Sequence, residues 1–261
     1  MKILVIILSI LVLSSCKQSQ KNQIENSSNI QNESQNLNQT KDSVEIGSKS
    51  EERDSQLNSN ELCECFDGIG SMKGDEPILR SSFSNGKLTA MCGYYDKEMK
   101  EPGLIISEFN IFDCETEKAI VEYGAIQICR IKEGKDSIII EELKYLPAGN
   151  NWEWELIQIA EQIVTLENQK LVALDVIPKF QKIKINLGSQ TQFLNSIKQG
   201  EGINEKWVEE LCKLEILSLN GNAKAWKILK NYEEFKGDKT DGALAEQWKD
   251  ALANVEWIKN E

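Results

Sequence analysis

The run Ser137-Ile138-Ile139-Ile140-Glu141-Glu142-Leu143-Lys144-Tyr145-Leu146, entered through the polar turn Glu133-Gly134-Lys135-Asp136, decides the fold. Three consecutive β-branched residues behind a turn that contains glycine predict a strand. The same grammar holds on both sides of it. Upstream, Lys87 to Tyr95 follows the turn Ser84-Asn85-Gly86, and Leu104 to Asp113 follows Pro102-Gly103. Ala119 to Tyr123 and Ala125 to Lys132 complete that side. Downstream, Trp152 and Trp154 alternate with glutamates, which predicts a strand with both rings on one face. Gln162 to Leu166 and Leu171 to Val176 flank the turn Glu167-Asn168-Gln169-Lys170 as a further hairpin. A parallel sheet would need crossover helices between these strands, and the pattern offers none. The expectation is an antiparallel β-meander or sandwich.

From Ser189 the hydrophobic period becomes helical. Ser189, Asn204, Asn222 and Asp241 are the candidate caps of four successive helices. The second is expected to end at Asn220-Gly221, and the third to carry Trp226, Leu229 and Tyr232. In the last, Leu244, Trp248, Ala251, Leu252, Val255 and Ile258 form one stripe, so Trp248 is expected to be buried. Trp257 falls beside that stripe and is expected to pack against the β region. The stretch from Leu214 to Leu229 resembles one helix-turn-helix unit of the HEAT-type α-repeats. The fold class is therefore α+β: a β-rich domain over 61–188 and a small C-terminal helical bundle, possible HEAT-like unit included, over 189–261.

The 261 residues carry a formal charge of −12 and no histidine. Histidine-based triads, general bases and metal ligands are thereby excluded. The acidic balance argues against nucleic acid as a partner.

The N-terminus reads as an address. Lys2 precedes the apolar run Ile3 to Leu13, which is about half the length a spanning helix needs. Leu13-Ser14-Ser15-Cys16 resembles the bacterial lipobox. The resemblance implies that residues 1–15 are removed as a signal peptide and that Cys16 is acylated, with the lipid bilayer as partner. Two or three acyl chains give stable anchoring. Lys17 lacks the acidic mark of inner-membrane retention, so the resemblance implies the outer membrane; Lys17-Gln18-Ser19-Gln20-Lys21 has no acidic surface-export signal, so the body is expected to face the periplasm. In residues 17–60, 24 of 44 are Ser, Asn or Gln. Such composition cannot bury enough surface to offset its ordering entropy, and 16–60 is expected to be a tether.

Six cysteines follow the anchor. Cys63, Cys65, Cys92, Cys114 and Cys129 lie in the β region as possible disulfide partners, with the pairing open. Cys212 lies in a helical stripe and reads as a core thiol. The densest carboxylates are Glu141-Glu142, Glu153 with Glu155, and Asp113 with Glu115 and Glu117. No catalytic, cofactor or metal motif is found in the chain. The expectation is a non-catalytic binding or assembly module with a protein partner in the envelope. The alternative is a carboxylate-dependent enzyme such as a glycan hydrolase, which needs two acids facing one cleft.

Overall fold

A computed structural model describes residues 63–95, 103–124 and 127–260. Cys16, the signal segment and the tether lie outside the described residues. Over the described residues the fold is α+β, with a nine-stranded antiparallel sheet followed by five α-helices.

The strands are β1 (Leu79–Ser82), β2 (Leu88–Tyr95), β3 (Leu104–Asp113), β4 (Lys118–Tyr123), β5 (Ile128–Gly134), β6 (Ser137–Pro147), β7 (Trp154–Glu167), β8 (Lys170–Ala173) and β9 (Ile177–Pro178). The sheet order is β1-β2-β3-β5-β6-β7-β8, with β4 also on β3 and β9 also on β7. One edge of β3 is shared, since Leu104 to Ile106 pair with β5 while Phe109 to Asp113 pair with β4. Glu108 is extra in β3 between Phe109 and Ser107, with φ of +58°, and it bulges against Gly93. A Cβ on Gly93 would stand 2.3 Å from the Glu108 carbonyl oxygen, so only glycine fits there.

The sheet curls. Ser84 N of the β1–β2 turn donates to Asp136 Oδ1 of the β5–β6 turn at 2.5 Å, and Ser81 Oγ donates to Glu133 at 2.7 Å. Inside the curve, Met91, Ile106, Phe109, Ile111, Ile131, Ile138, Ile140 and Val164 form one apolar core. The hairpin β6–β7 is longer than this core requires. Its far end, with Leu146, Trp154 and Ile157, runs on into a second core shared with the helices.

The helices are α1 (Leu187–Ser196), α2 (Trp207–Leu219), α3 (Ala223–Lys230), α4 (Tyr232–Lys236) and α5 (Gly242–Lys259). The boundary expected at 188/189 therefore falls inside α1. Asn186, and not Ser189, caps α1, accepting from Ser189 N at 3.1 Å. Asn222 caps α3 through Ala225 N as its sequence predicts. The third predicted helix breaks at Asn231, so Tyr232 opens α4. Asp241 stands before α5 without a side-chain capping bond. α2 is the central helix, buried on almost every side from Glu210 to Leu219.

Candidate functional site

The first described residues form a collar. Cys63 is bonded to Cys114 and Cys65 to Cys92, so alternate residues of one extended segment are stapled to β2 and to the turn after β3. Beneath the collar lie Ala90 and Phe112, on the sheet face opposite the main core. Arg80 Nε donates to Cys63 O at 2.9 Å, and Cys65 N to Asp75 O at 3.0 Å. Asn110, fully buried in β3, donates to Ile69 O at 2.5 Å and holds the turn Gly68 to Ser71 down. The outer side of the collar sets exposed apolar side chains among the charged Glu64, Asp67, Lys73 and Glu76. Met72 is 71% exposed and Tyr94 65%, with Ile69 and Tyr95 also exposed. A Cβ on Gly70 would stand 3.2 Å from the Tyr94 ring, so the turn and Tyr94 are neighbours.

Cys129 takes no disulfide. It is free and fully buried on β5, facing the core beside Glu142, and burial pushes its thiol pKa up. The sequence groups it with the other four because all share the β region. Its face of the sheet, opposite to that of Cys92, is what separates it. Cys212 is likewise a buried free thiol.

The carboxylates singled out in the sequence go to different places. Glu141 is buried, with Lys132 Nζ at 2.5 Å and Arg130 at 3.3 Å. It stands across from Glu161 of β7, which binds Lys179 at 2.5 Å. Glu142, its chain neighbour, projects to the core side, where Tyr123 OH lies at 3.0 Å and Gln127 Nε2 at 2.8 Å. Burial raises the Glu142 pKa above the ordinary carboxylate value. Glu153 and Glu155 are exposed. Asp113 accepts from Glu115 N at 2.9 Å, Glu115 pairs with Lys87, and Glu117 lies 3.7 Å from Lys73.

Trp152 is not in a strand. It ends the short 3₁₀ turn Asn150–Trp152 at φ of +66°, and β7 begins two residues later. Both tryptophans nevertheless pack on the helical core. Trp152 meets Phe193 edge to face at 5.5 Å, with Lys213 Nζ 4.9 Å from the Trp152 ring. Trp248, expected to be buried, is half-buried, and its indole Nε1 donates to Leu229 O at 2.7 Å. Trp257, expected to pack against the β region, is 38% exposed, and α5 packs chiefly on α2.

Two features have no signal in the sequence. Lys236 is 1% exposed and donates to Glu201 at 2.7 Å and to Glu210 at 3.3 Å. Next to that pair a hollow of about 320 Å³ is lined by Phe193, Glu201, Glu209, Glu210 and Lys213. The second feature is the Tyr123–Glu142 contact. Both join residues that lie far apart in sequence, so no local spacing announces them. Among the described residues, no group of three or more carboxylates or cysteines is placed to hold a metal, and no helix is long and apolar enough to cross a membrane. Comparison with family models, with characterised proteins and with solved structures finds no match to this chain.

Proposed function

We propose that this chain is a lipid-anchored binding or assembly module of the cell envelope, held at the outer membrane by acylated Cys16 and non-catalytic in its role. The observation that carries the reading is the double staple of the collar, Cys63 to Cys114 and Cys65 to Cys92. Structural disulfides belong to exported proteins, because the cytosol keeps thiols reduced. The staples thus agree with the export that Leu13-Ser14-Ser15-Cys16 implies. They also fix the segment that enters the fold where the expected tether ends.

The anchor is tested by Cys16→Ser, which should abolish metabolic labelling with a fatty acid and release the protein from the membrane fraction. Labelling that persists would overturn the anchor. The binding role is tested with a photo-crosslinking residue at Met72 or Tyr94, the two most exposed large apolar side chains of the collar. A specific envelope protein captured there, and not from a crosslinker at Glu153, supports the reading. Equal yields from both positions count against it.

A further inference from the structure

We propose that Glu142 is protonated in the folded protein and acts as a pH-responsive tie between β4 and the β6–β7 hairpin. The argument is a count of protons. Tyr123 OH lies 3.0 Å from Glu142 Oε1 and 3.1 Å from Gln162 Oε1. Gln162 Nε2 donates to Leu174 O at 2.9 Å, which turns the amide oxygen towards Tyr123. The second oxygen of Glu142 accepts from Gln127 Nε2 at 2.8 Å. A phenol has one proton, and an ionised carboxylate and an amide oxygen are both acceptors. One proton cannot fill two oxygen–oxygen contacts. A proton on Glu142 completes the set: Glu142 donates to Tyr123, Tyr123 to Gln162, and Gln162 to Leu174.

The surroundings favour the neutral acid. Facing Glu142 are Tyr123 from β4, Cys129 directly opposite on β5, Ala160 and Gln162 from β7, and Gln127. Burial holds the Cys129 thiol neutral as well. Of the cations at neighbouring positions, Arg130 and Lys132 pair with Glu141, and Lys144 pairs with Glu215. Burial raises the carboxyl pKa, outweighing the Tyr123 hydrogen bond, which lowers it. Among the described residues, ladder bonds join β4 to β3 alone, and this polar chain ties it to β6 and β7. Loss of the proton places a charge in a half-buried site and leaves two acceptors facing one phenol.

A raised carboxyl pKa contributes stability that is complete below the unfolded value and is lost as pH rises through the folded value. With no histidine in the chain, no ordinary side chain titrates between about pH 5 and about pH 8, so the response of Glu142 is read without interference. Thermal unfolding of the full mature protein in mild detergent, native and Glu142→Gln, is followed across that range. The native midpoint should fall by several degrees with rising pH. The variant should stay level and lie above the native protein at the upper end. Hydrogen exchange over β4 should rise with pH in the native protein beyond the rise in the variant. Parallel curves, or a variant less stable at every pH, would overturn the proposal. Infrared spectroscopy of the native protein gives a check that needs no variant. One protonated carboxyl band should persist above the ordinary carboxylate range and vanish as the midpoint falls; a spectrum without that band would overturn it.

Discussion

At the scale of single residues, the strongest electrostatic commitment is Lys236. An ammonium without water is tolerated only when paired, and Glu201 and Glu210 supply the pair. Lys236→Met removes the cation and leaves the Glu210 carboxylate buried without it. The expected cost is about 3 kcal/mol at neutral pH, read from urea unfolding. Acid should narrow that gap. The hydrogen bond from Lys236 is the largest cause holding the Glu201 pKa below its ordinary value. A depressed carboxyl contributes stability above the unfolded pKa and loses it as pH falls through the folded one. Native protein should therefore lose stability in acid faster than Lys236→Met. Equal acid slopes would remove Glu201 from the pair.

At the scale of elements, the collar depends on its two staples. They close loops of 51 and 27 residues. Chain entropy then assigns about 4 kcal/mol to Cys63–Cys114 and about 3.5 kcal/mol to Cys65–Cys92. Cys63→Ala with Cys114→Ala, and Cys65→Ala with Cys92→Ala, should each lower the urea midpoint, while the far-ultraviolet spectrum of the sheet is kept. A loss of the sheet signal would mean that the collar is needed for β2 and β3 to pair. Elements with strong edges were legible in the sequence. β3 runs from Leu104 to Asp113 as expected, because Pro102-Gly103 opens it and a polar turn closes it. β1 was not, since Leu-Arg-Ser-Ser has neither period nor β-branching, and only pairing with β2 makes it a strand. Nor was the break at Asn231, where the helical stripe continues but the backbone does not. The same limit governs the sites. Which cysteines pair, and which acids are neutral, depends on the sheet face and on partners from remote strands. Spacing along the chain carries neither.

At the scale of the whole molecule, the helices and the sheet share material. Leu146 and Ala148 from the end of β6, with Trp154 and Ile157 of β7, belong to the same core as α2, α3 and α5. Buried Glu215 of α2 receives Lys144 of β6 at 2.7 and 2.9 Å and Asn254 of α5 at 3.1 Å, tying three elements at one carboxylate. A bundle with its own core would melt independently of the sheet, whereas a shared core couples the two. Trp248→Ala decides between these behaviours. It removes a large half-buried ring from α5 and its bond to Leu229 O, at an expected cost of about 3 kcal/mol. In a coupled body that loss should lower one common transition, seen equally by tryptophan fluorescence and by the sheet's circular dichroism. Amides of β6 should exchange faster in the variant, although β6 lies far from the mutation in sequence. A helical signal that melts first, with β6 protection unchanged, would show the bundle unfolding alone, and the β6–β7 hairpin would then be a support and not part of one cooperative core.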